Sequence, residues 1–354
     1  MSRSDDTTPF PSCTIGLDLG DRSHAWCALD AAGQVVGRGT IGATPDAVGA
    51  LSTAHPGARV ILEAGTHSRW VSRQLTAAGH TVVIANPSKC YQGRRRQRND
   101  RRDAEFLARQ GRADVMLLHP ITHRGPTTDA PLALLRARDQ LVAARTQLIN
   151  TARGLVKPTG TRLPACSAES FGRQAAAHVP APLRAVVGPL LETVMHLTTQ
   201  IRAYDRQITH QLLPQYPVAQ RLAAELQGVG PLTALAVVLL IDDPTRFRAS
   251  RDVGAYFGLV PRLDESGAAT PQLRITKTGD ALGRKLLVSA AHYILHRGPD
   301  TALRRHGEAL MQRGGPNARK RAVIAVARKL VVLLHRLWGT GAAYDPTRGL
   351  AAAA

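Results

Sequence analysis

The stretch CTIGLDLG at residues 13–20 carries an aspartate, Asp18, at the end of a short run of apolar and small residues. The run predicts a β-strand. HAWCALD at 24–30 and QVVGRGT at 34–40 predict two further strands, and Ala-Ala-Gly between them is typical of a tight turn. Three strands in succession are therefore expected to open the ordered part of the chain.

The next segment alternates predicted helices and strands. Thr44-Pro45 indicates a helix start, with the threonine as N-cap and the proline at the first helical position. RVILE at 59–63 and TVVIA at 81–85 are typical of buried strands, and SRWVSRQLTAAG at 68–79 predicts a helix closed by Gly79. Three strands, helix, strand, helix, strand is the order of a ribonuclease-H-like fold.

Beyond about residue 100 the pattern is helical. Long amphipathic stretches at about 132–156 and 182–213 predict a coiled-coil-like connector, which is either a packed helical subdomain or an arm for dimerisation or nucleic-acid binding. LQGVGPLTALAVVLLI, from Leu226, resembles a helix-hairpin-helix turn at Gly228 to Gly230, although a simple interhelical turn would look similar.

The predicted fold class is thus α/β plus α, with a mostly helical C-terminal domain. The expected organisation is a disordered tail, an α/β catalytic domain, a helical connector, a C-terminal domain and a second tail, at residues 1–12, 13–125, 126–218, 219–340 and 341–354.

Charge points to a polyanionic partner. The 354 residues carry a net charge of +20, and 40 of the 46 basic residues are arginines, whose planar forks match phosphate oxygens. A GC-rich genome would explain arginine in place of lysine, but not the excess of positive charge.

The most apolar segment, residues 233–241, is too short to span a bilayer, and the four cysteines form no CxxC pair. We therefore expect a cytoplasmic, nucleoid-associated protein.

Four acidic residues stand where a metal-dependent nuclease would need them. Asp18 and Glu63 end predicted strands, and Asp100 and Asp103 are three apart at the start of a predicted helix within an arginine run. Carboxylates suit Mg²⁺, which stabilises a phosphodiester under attack. Individually, each has a plain alternative: a turn residue for Asp18, a capping acid for Glu63, and an N-cap with its capping-box partner for Asp100 and Asp103. Their joint placement favours a magnesium site.

Ser266, followed by Gly267, marks a second candidate site. Serine and glycine most often form ordinary turns, but basic residues on both sides could stabilise a serine alkoxide attacking a phosphate. The predicted nucleic-acid-binding residues are Arg94, Arg95, Arg96, Arg98, Arg101, Arg102, Gly228, Gly230, Arg274, Lys277, Arg284 and Lys285.

In order along the chain, four segments resemble the IS110 family of insertion-sequence transposases, relatives of the Piv DNA invertase. They are GLDLGDRSH, VILEAGTHSRWVSRQLTAAGHTVVIANP, RQRNDRRDAEFLAR and the long segment from Leu226 to Ala291. The resemblance implies a RuvC-like first domain whose D-E-D-D tetrad falls on Asp18, Glu63, Asp100 and Asp103. It implies a nucleophilic serine at Ser266, although alanines follow Gly267 where the family often has a further glycine.

The resemblance also implies recombination without the usual terminal inverted repeats, and an element-encoded RNA that bridges donor and target DNA. We therefore expect a DNA transposase or site-specific recombinase that uses Mg²⁺ and works as a dimer or tetramer. Two alternatives remain: a RuvC-like structure-specific nuclease that uses metal-activated water, and a non-catalytic basic nucleic-acid-binding protein.

Overall fold

A computed structural model describes residues 12–90, 99–262 and 273–346. The chain divides between His123 and Arg124 into two compact units. Each unit is described by itself.

The first unit is built on a five-stranded mixed sheet. Its strands are β1 (Cys13–Leu19), β2 (Ser23–Asp30), β3 (Val35–Gly42), β4 (Arg59–Glu63) and β5 (Thr81–Ala85). They lie in the order β3-β2-β1-β4-β5, so β1 is central. The first three strands are antiparallel neighbours, and β4 and β5 run parallel to β1. The predicted strands are confirmed, and the sheet is consistent with a ribonuclease-H-like domain.

Helices cover both faces of this sheet. They are α1 (Pro45–Ala54), α2 (Ser68–Ala77), α3 (Pro87–Cys90) and α4 (Asp100–Ala113). The first helix starts as predicted, because Thr44 Oγ1 accepts a hydrogen bond from Ala47 N at 3.3 Å and proline follows it. Gly79 ends the second helix with a φ of +88°, a conformation that glycine adopts without strain.

Alternation along the strands sends side chains to two separate apolar clusters. Ile15 and Leu17 of β1 pack with residues of α1 and α2 on one face, among them Leu51 and Val71. Gly16 lies between them in sequence and therefore points to the opposite face, which α4 covers.

A close approach fixes α4 on that face. A Cβ atom added to Gly16 would lie 1.9 Å from the carbonyl oxygen of Ala104 and 2.5 Å from Ala108 N. Ala104 and Ala108 are fully buried against Ala25, Cys27 and other residues of β2 and β3. Small residues on both elements thus let the helix backbone rest directly on the central strand.

The second unit is helical in its described residues. Its helices are α5 (Asp129–Val156), α6 (Phe171–Ala176), α7 (Arg184–Gln207), α8 (Pro217–Glu225), α9 (Pro231–Ile241), α10 (Val253–Tyr256), α11 (Ala281–His296), α12 (Ala302–Gln312) and α13 (Ala318–Thr340). The two long predicted helices correspond to α5 and α7, which pack against each other. A turn of π-helix at Ile208–Leu212 continues α7.

Two apolar cores hold this unit together. One centres on α9, which is buried from Thr233 to Ile241 and is packed by α5, α8 and α11; residues of α13 belong to the same core. The other joins α6 to the C-terminal end of α5 and the N-terminal half of α7, around the fully buried Phe171.

Within the described residues, no helix is both long and apolar enough to cross a membrane. All four cysteines are free thiols; Cys27 and Cys90 are buried, whereas Cys13 and Cys166 are half-buried.

Candidate functional site

Asp18 and Glu63 lie on neighbouring strands at one edge of the sheet. The parallel pairing of β1 and β4 matches Leu17 with Leu62, so the next position along each strand is Asp18 and Glu63. Adjacent strands are about 4.8 Å apart. Both residues share the α4 face, since Asp18 follows Gly16 by two residues and Glu63 follows Ile61, which packs on α4.

The first turn of α4 points toward the same edge. At the other end of this helix, Arg59 donates to the carbonyl oxygen of Gly111 at 3.3 Å, and Arg112 donates to that of Ala31 at 2.6 Å. Arg59 begins β4 and Ala31 follows β2, so the helix C-terminus lies where β1 and β4 begin. Asp100 and Asp103 therefore lie toward the ends of β1 and β4 that carry Asp18 and Glu63.

Geometry excludes the plain alternatives for these acids. The N-cap of α4 is Asn99, whose side-chain oxygen accepts from Arg101 N at 3.1 Å, so Asp100 is not the cap and cannot form a capping box with Asp103. Asp18 lies inside β1 and pairs with Ala25, so it is not a turn residue. Glu63 ends β4, four residues before His67, the N-cap of α2.

The acidic set fits a hard divalent cation in its chemistry and in its backbone placement. Oxygen donors from two strand ends and one helix start are the kind of ligands that Mg²⁺ takes. In the part of the chain that the structure describes, no three His, Cys, Asp or Glu side chains are already arranged to hold a metal ion. Binding a cation there would therefore require the carboxylates to turn toward one another.

A buried histidine lies behind this edge, on the opposite face of the sheet. His24 is 0% exposed, and its ring lies 5.5 Å from that of His67 and 6.1 Å from that of Trp70. Burial lowers the pKa of the His24 imidazole, His67 lowers it further, and backbone groups of Gly20 and Ser23 oppose the change. The lowered pKa favours the neutral form of His24, whose ring packs in the core of the first unit.

In the second unit, the ends of the serine-containing segment form a short antiparallel ribbon. Arg262 N donates to Arg274 O at 2.9 Å and Thr276 N donates to Val260 O at 2.9 Å, with a bridge between Pro261 and Ile275. Ser266 itself lies outside the described residues. The chain on either side of 263–272 is therefore held together by backbone hydrogen bonds.

Two glycines lock the base of this ribbon. A Cβ atom on Gly258 would lie 2.1 Å from Thr278 O, and one on Gly279 would lie 2.0 Å from Tyr256 O. Their φ angles of +66° and +87° are also in the region that favours glycine. Side chains are therefore excluded at both positions, and the two segments pack backbone to backbone.

The predicted nucleic-acid-binding residues have different surroundings. Arg94, Arg95, Arg96 and Arg98 lie outside the described residues, whereas Arg101, Arg102, Arg274 and Lys277 are exposed. Arg284 donates to Phe257 O at 3.2 Å and to Thr278 O at 3.4 Å, so this guanidinium braces the ribbon. Lys285 forms an ion pair with Asp139 of α5. Gly228 has a φ of +95°, and the exposed Gly230 is the N-cap of α9.

Tyr256 is a packing residue. Its hydroxyl donates to Leu240 O at 2.9 Å and accepts from Arg124 at 3.0 Å. Its ring lies 5.2 Å from that of Phe247 and 5.5 Å from that of Phe257. These contacts fix the tyrosine in the core of the second unit.

The close packing of α4 on β1 was not predicted from the sequence. Gly16, Ala104 and Ala108 make the close approach, and a side chain on Gly111 would overlap Ile61, with a Cβ only 2.3 Å from it. The signal was available, since three small residues at spacings of four and three mark one face of the helix.

Comparison with known proteins supplies the class. The family model described as "Transposase", which is named for a D-E-D-D set, matches residues 15–160, and the one described as "Transposase IS116/IS110/IS902 family" matches residues 220–306. A putative transposase of Sinorhizobium fredii is 30% identical over 304 residues, covering 82% of this chain and 76% of that protein. The transposase of insertion sequence element IS1111A from Coxiella burnetii is 27% identical, covering 91% and 88%.

The pilin gene-inverting protein of Moraxella lacunata is 26% identical over 147 residues, or 41% of this chain and 45% of that protein. These matches, with the acidic residues at the strand ends of the first unit and the excess of basic residues in the chain, place the protein among the DNA transposases and recombinases. The chain belongs to the IS110 family of insertion-sequence transposases. The D-E-D-D name of the matching domain also suggests dependence on a divalent metal.

Proposed function

We propose that this transposase cuts and rejoins the DNA of an insertion sequence by means of Mg²⁺ on an acidic tetrad and a serine nucleophile. The tetrad is Asp18, Glu63, Asp100 and Asp103, and the nucleophile is Ser266. The observation that carries the proposal is the convergence of two strand ends and the first turn of α4 at one edge and on one face of the sheet.

The four carboxylates would hold the cation and orient the scissile phosphate. When bound, Mg²⁺ would supply positive charge that stabilises the developing phosphorane and the leaving oxygen. The rigid seat of α4 on β1 supports this role, because Asp100 and Asp103 follow the position of the helix backbone. In our proposal the same domain is RuvC-like in its chemistry as well as in its strand order.

Ser266 would act as a nucleophile rather than as a turn residue. Its hydroxyl oxygen would bond to phosphorus as the bond to one DNA oxygen breaks, while the serine proton leaves to a base. The product is a phosphoserine link, and a DNA hydroxyl later attacks it to restore a phosphodiester and the free serine. Arg274 and Lys277, both exposed in the ribbon strand after Ser266, would offset the charge on the phosphate.

Partners follow from charge and from the family. A net charge of +20 supports binding to donor and target DNA, and the family resemblance implies an element-encoded bridge RNA as a further partner. Because the two proposed sites lie in different units, we infer that an active site can be composite and shared between subunits of a dimer or tetramer. Sedimentation of an active nucleic-acid complex as a monomer would refute the shared site.

The direct test is a search for a protein–DNA adduct. Purified chain is incubated with Mg²⁺, element-derived RNA and end-labelled DNA, and the products are separated under denaturing conditions. We expect an adduct with the wild type and with Ser167→Ala, an exposed serine in the second unit, and none with Ser266→Ala. An undiminished adduct in Ser266→Ala would exclude this nucleophile.

A paired substitution of acids separates the rival functions. Asp18→Asn should abolish both adduct and cleavage, whereas Asp46→Asn, an exposed aspartate in the first turn of α1, should leave both intact. A nuclease that uses water would lose cleavage in Asp18→Asn but keep it in Ser266→Ala. A non-catalytic binding protein would respond to neither change.

A further inference from the structure

The C-terminal half of α11 presents an exposed polar and aromatic stripe that the proposed chemistry does not use. His292, Tyr293 and His296 are all exposed, and Tyr293 is 44% exposed despite its large ring. The two histidine rings are stacked with centroids 6.0 Å apart and planes 17° from parallel. We define His292, Tyr293, His296 and the following Arg297 as the α11 stripe.

This stripe touches the turn between α8 and α9. A Cβ atom on Gly228 would lie 2.9 Å from a ring carbon of Tyr293 and 2.9 Å from Ile294. Glycine at Gly228 thus lets the turn backbone rest on the tyrosine ring. Gly230, two residues later, is exposed, so the turn that contacts Tyr293 also reaches solvent.

The segment of the chain that carries the stripe has an excess of positive charge. From residue 272 to residue 336 there are 14 basic and 3 acidic residues, and none of the acids is in α11. Each of the three pairs with an arginine: Asp280 with Arg136, Asp300 with Arg305, and Glu308 with Arg304. These three acids are therefore already neutralised by ion pairs. The remaining excess of positive charge favours a polyanionic partner over a protein with few acidic residues.

We propose that the α11 stripe and the turn at Gly228 to Gly230 form one surface that binds the backbone of a nucleic acid. Imidazole N–H groups of His292 and His296 and the Arg297 guanidinium donate to phosphate oxygens. The Tyr293 ring packs against a sugar or a base, as exposed aromatic residues do in nucleic-acid-binding proteins. The inference rests on the proposed nucleic-acid partner and extends it to residues outside both candidate sites.

Phosphodiester backbones occur in the DNA and in the RNA of this system, so the test uses both. Binding of the full-length chain to a fluorescein-labelled 30-base-pair DNA duplex, and separately to RNA of the same sequence, is measured by anisotropy at 0.1 M salt. His292→Glu is compared with His196→Glu, since His196 is also an exposed histidine within a long helix.

We expect His292→Glu to weaken binding about tenfold for at least one of the two nucleic acids, and His196→Glu to change it less than about twofold. Tyr293→Ala should weaken the same complex by a similar factor. His296→Arg adds a permanent charge and should strengthen binding, with a salt dependence steeper by about one unit of slope. The nucleic acid that responds identifies the partner of this surface.

Wild-type affinity in His292→Glu and Tyr293→Ala, for DNA and RNA alike, would overturn the inference and leave the Ser266 adduct assay untouched. If His292→Glu and His196→Glu weakened binding equally, the effect would be one of overall charge and the inference would also fail. Far-ultraviolet circular dichroism of each variant checks folding, and His296→Arg gives a gain of binding that misfolding cannot imitate.

Discussion

Gly16→Ala tests whether the contact between α4 and β1 sets the acidic site. The added Cβ would lie 1.9 Å from Ala104 O, and real Cβ atoms keep at least 3.0 Å from such atoms, so the helix and strand must separate by more than about 1.1 Å. The obstacle is backbone, which cannot rotate away as a flexible side chain would.

Two consequences have calculable sizes. Overpacking of this kind destabilises a protein by about 1–3 kcal/mol. A displacement of about 1 Å in catalytic groups costs about 10²-fold in rate, and here it would carry Asp100 and Asp103 away from Asp18 and Glu63. We therefore expect Gly16→Ala to lower both the free energy of unfolding and the rate of DNA cleavage.

The assay compares Gly16→Ala with Gly49→Ala. Gly49 lies within α1 of the same unit, where an added Cβ would make an ordinary 3.5 Å contact with Gln74. Alanine there should be neutral or stabilising by up to about 1 kcal/mol, because glycine is a poor helix former. Urea unfolding and single-turnover cleavage are measured for both variants. Equal free energies of unfolding and equal cleavage rates in Gly16→Ala and Gly49→Ala would refute the link between the packing of α4 on β1 and the acidic site.

Three further predictions concern the pH dependence of stability and the serine ribbon. Burial lowers the pKa of His24 from its ordinary 6.5, so as the pH falls His24 is protonated in the unfolded chain before it is protonated in the folded one. The free energy of unfolding should therefore fall as the pH drops below about 6.5. The fall should be smaller in His24→Gln than in a variant of the exposed His178. Burial acts to raise the pKa of Asp280, but the hydrogen bond from Gly283 N and the ion pair with Arg136 outweigh it and the pKa is lowered. The stabilisation from Asp280 is therefore present above its unfolded pKa and lost as pH falls through the folded one, and Asp280→Ala should cost about 1–2 kcal/mol in urea unfolding at neutral pH, with no such loss in Asp46→Ala. Gly258→Ala should reduce adduct formation about 10²-fold with little change in nucleic-acid affinity, because its Cβ would overlap Thr278 O; Gly339→Ala, at a position with open space, should match the wild type in both assays.

Much of the first unit was predictable because its signals are local. The cap at Thr44, the strand RVILE and the turn at Gly79 each depend on neighbours within a few residues, and all three are found as expected. The alternative roles of Asp100 and Asp103, as an N-cap and its capping-box partner, were wrong by one position. A cap is decided by which residue leaves the helical conformation first, and Asn99 does so one position earlier than the pattern indicated.

The sequence by itself determined the order of strands and helices, the excess of positive charge and the chemical types available for a site. These depend on side-chain identity and spacing, which the chain carries whether or not it is folded. Tertiary structure alone decided which faces meet. Gly16 could have been an ordinary strand glycine, yet it is the point at which the α4 backbone touches the central strand. Local pattern also does not show that Arg284 donates to Phe257 O or that Lys285 pairs with Asp139. Such contacts join residues far apart in sequence, so packing and not local pattern selects them.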